Sequence, residues 1–124
     1  MRAYSTTVVA SALGVDRRWL DALIATDRLP GVPPERQGKS RAIPPKAVLT
    51  MAVAMELTEH FGTSLHRALD LAAALLHSGE HSPAAGLVVR LDVTAIERRI
   101  ALRLNDAVDA NPPVRRGRPP RDGR

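Results

Sequence analysis

The sequence has no cysteine. That excludes a disulfide scaffold, a thiolate metal site and a cysteine nucleophile. Aromatic residues number three, Tyr4, Trp19 and Phe61. A core built without them draws on Leu, Val, Ala and Ile, a mix that favours helices over a β-sandwich. Long apolar runs are also missing. The longest, residues 8–13 and 71–76, are far too short to span a bilayer. No apolar stretch follows basic residues at the start, so no secretory signal is expected and the cytoplasm is the default compartment. What remains is 124 residues with 44% apolar content, enough for one small domain with a real core.

Charge is unevenly distributed around a net of +5. Residues 1–46 carry 8 basic and 4 acidic side chains, a net of +4. Residues 47–110 carry 5 basic and 8 acidic, a net of −3. Residues 111–124 carry 5 basic and 1 acidic, again +4. The basic residues are 16 Arg and 2 Lys, a bias that a GC-rich coding sequence also produces. A basic front, an acidic middle and a basic tail point to a polyanion-binding surface separate from a packing region.

The chain then reads as a series of capped helices. Ser5 or Thr6 can start a short helix whose apolar side is Val8, Val9, Ala12 and Leu13, and Gly14 can end it. Asp16 caps a second helix, with Leu20, Leu23 and Ile24 facing inward. Arg18, Asp21, Ala22 and Ala25 fall on its opposite face, and Arg17 and Trp19 on its flanks. Pro30, Gly31, Pro33 and Pro34 stop it. A polar, basic stretch around Gly38 follows and reads as a hairpin or extended loop. Pro45 opens a third helix from about Lys46 to His60, apolar nearly all round in its first half. Ser64 or Thr63 caps a fourth, with Leu65, Ala68, Leu69, Ala72, Leu75 and Leu76 as its stripe. A loop is expected from Gly79 to Gly86. Residues 87–93 alternate as a strand, and Thr94 to Glu97 reads as a capping box opening a fifth helix to about Val108.

Two short helices joined by a glycine turn, then a basic glycine hairpin, describe a winged helix-turn-helix. In such a fold the second helix enters the major groove and the wing touches phosphates. The segment YSTTVVASALGVDRRWLDALI resembles the MerR-type DNA-binding domain in its spacing of Tyr4, Ala10, the Gly14-Val15 turn and Leu20. KSRAIPPKAV resembles the end of that family's wing, with Arg41 ahead of Ile43, and FGTSLHRALDLAAALL resembles its fourth helix. The resemblance covers about residues 4–76. It departs from the family at Ala22 and Leu23, where paired aromatics are common, and at Asp21, where an arginine often stands. A strand also intervenes where a long dimerising helix would follow. Excisionase-like recombination factors share this small winged fold, so the resemblance implies either a regulator or an architectural accessory.

Candidate DNA contacts follow from these placements. Arg17, Arg18 and Trp19 occupy the first turn of the recognition helix, where side chains reach base edges or phosphates. Trp19 flanks the core face and is read as a partly buried packing residue rather than a base contact, with its indole N–H within reach of a phosphate. Arg36, Lys39 and Arg41 surround Gly38, where a wing would bring them to phosphate. The tail adds Arg115, Arg116, Arg118 and Arg121. Its Arg116-Gly117-Arg118-Pro119 resembles an AT-hook core, and arginines flanking a small glycine suit a narrow minor groove. The bland alternative is a disordered basic tail adding non-specific affinity. His60, His66, His77 and His81 lack metal-site spacing, so no metal or other cofactor is expected. No catalytic constellation stands out, so no enzymatic activity is expected.

No second strand is evident to pair with residues 87–93. An unpaired strand leaves backbone groups unmet, and its own copy in a second subunit is the simplest remedy. Leu87, Val89, Leu91 and Val93, continued by Ile96, Ile100 and Leu104, are therefore the expected dimer contacts. Pairing within the chain, to the wing or residues 1–4, is the rival. The expected architecture is mainly α. Residues 1–78 form the winged helix-turn-helix, 79–110 a strand-helix dimerisation element, and 111–124 a disordered basic tail. The expected function is a homodimeric, sequence-specific regulator on double-stranded DNA, cytoplasmic and nucleoid-associated, with no membrane partner. The alternatives are an architectural accessory, or an antitoxin or adaptor acting through a protein partner.

Overall fold

The computed structural model describes residues 3–26 and 42–112. Helix α1 (Thr6–Leu13) begins at Ser5, whose hydroxyl accepts the Val8 N–H at 3.2 Å. That bond meets one of the four N–H groups a helix start leaves unpaired. Thr6, the other candidate cap, is buried instead. Gly14 ends α1 at φ 72°, a left-handed conformation that costs glycine little and other residues more. The chain turns there and enters α2 (Arg17–Thr26) through Asp16, whose Oδ1 accepts the Arg18 N–H at 2.8 Å. Leu20, Leu23 and Ile24 form the buried side of α2, as their spacing predicts.

Ile43 lies beside Tyr4, just ahead of α1. Tyr4 and Ile43 exchange two backbone hydrogen bonds of 2.8 Å as an isolated antiparallel bridge. Ile43 is fully buried. The bridge fixes the start of α1 next to the start of α3 (Pro45–Phe61). Pro45 supplies a preset φ at the first helical position, where its missing N–H is harmless. Helix α3 buries Ala47, Val48, Met51, Ala52, Val53, Ala54 and Leu57, so it runs through the centre. After Gly62, α4 (Leu65–Ser78) is capped by Ser64 and packs along α3 through Ala68, Leu69, Ala72 and Leu75. The small alanines on that stripe allow close approach of the two helices.

Residues 80–90 correct the sequence reading. The expected loop holds a strand, β1 (Glu80–Ala84), which pairs antiparallel with β2 (Leu87–Arg90). The strand at 87 is therefore paired within its own chain, by neither of the two routes expected. Glu80-His81-Ser82-Pro83-Ala84 has neither alternation nor β-branched residues, so propensity gives no strand signal there. Backbone pairing does the work, with Glu80 opposite Arg90, His81 opposite Val89, Ala84 opposite Leu87, and an irregularity between His81 and Ala84. The Ser82 hydroxyl lies 2.9 Å from the carbonyl oxygens of both Ala84 and Leu87, tying the turn. The Leu91 N–H donates to the Gly79 carbonyl at 2.9 Å, closing the hairpin's base.

Helix α5 (Val93–Ala110) starts two residues earlier than its capping-box pattern predicts, with Thr94 inside the helix. Asp92 is the cap, its Oδ1 accepting the Ala95 N–H at 3.0 Å. The reason is the hairpin, which ends at Arg90 and leaves Asp92 in extended backbone. Helix α5 folds back to pack on α1 and α3. Ile96, Ile100, Leu104 and Ala107 line its buried side. Glu56 of α3 adds a polar link, 3.1 Å from Arg99 of α5 and 3.2 Å from His60.

All five helices and Ile43 contribute to one buried cluster. The described residues are thus mainly helical, with one two-stranded antiparallel sheet. None of their helices is long and apolar enough to cross a membrane.

Candidate nucleic-acid interface

The first turn of α2 gathers the described candidates. Its inner face is anchored by Leu20, which is fully buried, so the remaining residues are held at fixed angles around the helix. Arg17, Arg18 and Trp19 are all exposed, Trp19 at 39%. Further along the same helix, Ala22, Ala25 and Thr26 are exposed as well. Their short side chains let another surface approach the α2 backbone closely.

The two arginines differ in what holds them. The Arg17 Nη1 donates to Thr7 Oγ1 of α1 at 3.1 Å, and its Nε lies 3.8 Å from Asp21 Oδ2. Arg17 therefore bridges the two helices of the motif and keeps most of its guanidinium in solvent. Arg18 donates its backbone N–H to Asp16, and its side chain has no partner among the described residues. Two cations at a helix N-terminus oppose the helix dipole. Asp16 at the cap and Asp21 one turn on offset that repulsion. Trp19 lies more open than a packing residue would.

Thr7 is the residue that sequence reasoning missed. It lies ten positions from Arg17, and only the turn at Gly14 brings the two together. Nothing in local pattern signals such a contact. The other DNA-contact candidates, Arg36, Lys39, Arg41, Arg115, Arg116, Arg118 and Arg121, lie outside the described residues. The Tyr4–Ile43 bridge still bears on the first three. It places Ile43, two residues after Arg41, beside the start of α1.

The expected dimer contacts separate into two groups. Ile96, Ile100 and Leu104 are 6%, 3% and 4% exposed, so the chain's own core has taken their apolar surface. They cannot also face a second subunit without unpacking α5. Val89, Leu91 and Val93 are half-buried, and Val89 and Leu91 pack against the core. Leu87 is exposed at 54%, and so is its neighbour Val88.

The chain matches no family model, no curated protein and no solved structure with which it was compared.

Proposed function

We propose that this protein binds double-stranded DNA as a sequence-specific regulator, with α2 as the helix that enters the major groove. The observation that carries the reading is the first turn of α2. Two adjacent arginines project from a helix anchored by buried leucine and isoleucine, and one of them is braced by the preceding helix through Thr7. A braced arginine suits a phosphate contact that sets register, and an unbraced one beside it suits base-edge readout. The segment 27–41, with Arg36, Lys39 and Arg41, would act as a wing on adjacent phosphates. Arg115, Arg116, Arg118 and Arg121 would extend the contact into a minor groove, as in an AT-hook. A homodimer would present two copies of α2 to half-sites about one helical turn apart. The reading puts the protein to work on the nucleoid.

The test is a salt titration of binding to double-stranded DNA, followed by fluorescence anisotropy. Log affinity should fall steeply and linearly with log salt as phosphate counterions are released. Absence of binding at low salt would overturn the proposal and favour a protein partner. Selection from a random DNA pool then separates a regulator, which returns a defined site, from an architectural accessory, which returns none.

A further inference from the structure

The hairpin offers two edges, and they are not alike. The edge of β1 is interrupted by Pro83, which has no N–H to donate. No strand pairs with the outer edge of β2 among the described residues. That edge has no proline, and its first three residues, Leu87, Val88 and Val89, carry no charge. Leu87 and Val88 are both 54% exposed, and as neighbours in a strand they point to opposite faces. Proteins usually blunt such an edge with lysine, proline, a bulge or a very short strand; β2 has no lysine, proline or bulge, and only its four-residue length and terminal Arg90 oppose pairing. A two-stranded sheet alone is also marginal in water, and added strands stabilise it.

We infer that the β2 edge pairs antiparallel with the β2 edge of a second copy of this chain, forming a four-stranded sheet across a two-fold axis. The inference rests on the dimeric part of the proposed function and supplies its interface. Symmetry restricts the register. The axis must be perpendicular to the sheet, so each residue and its symmetry mate lie on the same face. Facing residues must then differ by an even number. Centring the pairing on Val88 sets Val88 opposite its own copy and Leu87 opposite Val89 on each side. Every apolar residue of β2 then meets an apolar one. Arg90 falls opposite Gly86, so no like charges meet. Its charge is already answered within the hairpin by Glu80, 3.3 Å away. The edge is thus self-complementary in backbone, apolar surface and charge, which favours a second copy over an unrelated peptide as its occupant.

Val88 is the position to test, because it is exposed in the single chain and faces itself in the pair. Val88→Glu and Val88→Lys should each keep the wild-type circular dichroism spectrum. By sedimentation equilibrium without DNA, each should weaken the dimer by about tenfold or more, since like charges meet at the axis. Mixing the two variants in equal amounts should restore a dimer, now of one Glu and one Lys chain. A wild-type chain that stays monomeric at high micromolar concentration would overturn the inference. So would dimers of both variants as tight as wild type, or a mixture that fails to recombine. The Val88→Glu chain should still bind DNA at low salt, more weakly than wild type. Retained DNA binding by a wild-type monomer would sink the interface and leave the recognition helix standing. Loss of DNA binding from an intact dimer would do the reverse.

Discussion

Arg17 and Arg18 are adjacent in sequence, yet their surroundings assign them different work. Arg17 is tethered to Thr7 at 3.1 Å and lies near Asp21, so its loss disturbs the joint between α1 and α2 as well as any DNA contact. Arg18 has no such tether, and Arg18→Ala should leave the thermal midpoint unchanged. Its cost should appear in DNA affinity, by about 1–3 kcal/mol if it reads a base, with relaxed sequence preference in a binding selection. Thr7→Val keeps the shape of Thr7 and removes the acceptor. It should weaken binding less than Arg17→Ala does, as measured by anisotropy at one fixed salt concentration. A different residue, Thr58, buries its hydroxyl without a hydrogen-bond partner in the structure. An unmet buried hydroxyl is costly, so Thr58→Val should stabilise the fold by about 1 kcal/mol in urea denaturation.

Among the elements, the helices were legible because their signals are local. Ser5, Asp16 and Ser64 cap where a polar side chain precedes an apolar period, and Gly14, Gly62 and Gly79 end helices at positive φ. The hairpin was not legible, because β1 has no propensity of its own. It is a strand because β2 offers it a partner. The same pairing moved the start of α5. Asp92→Ala should cost about 1 kcal/mol of stability, the usual value of a lost N-cap. Thr94→Ala should change it by less than about half that, since Thr94 lies inside the helix. Equilibrium denaturation of the two variants distinguishes these outcomes.

For the whole molecule, the main consequence is that α5 is structural. It covers α1, the first helix of the candidate DNA-binding motif, so the motif depends on residues ninety positions away in sequence. Leu104→Ala should cost about 2–5 kcal/mol, the range for a buried leucine, and should lower DNA binding by unfolding rather than by altering contacts. Raising the protein's stability by lowering temperature should recover that binding in part. The basic tail predicts the opposite behaviour. Deleting residues 113–124, which spares the Asn111 cap of α5, should leave the thermal midpoint unchanged, weaken DNA binding and make the salt slope shallower, by about 0.9 for each phosphate contact removed. An unchanged slope would show that those arginines do not touch phosphate.

Local pattern sets the helical class, the starts of the first four helices and the inward faces. Caps, prolines and spacings of three and four act within one or two turns and need no distant partner. The segregation of charge was equally legible, since it is a property of order along the chain. Tertiary structure alone decided what each apolar stripe is packed against. Ile96, Ile100 and Leu104 form the same stripe whether they meet a second subunit or α1, and only the return of the chain after the hairpin sends them to α1. It also decided that Thr7 steadies Arg17, a contact made by the turn at Gly14, and that residues 80–84 are a strand. In each case the missing information was the identity of a partner distant in sequence, which periodicity does not carry.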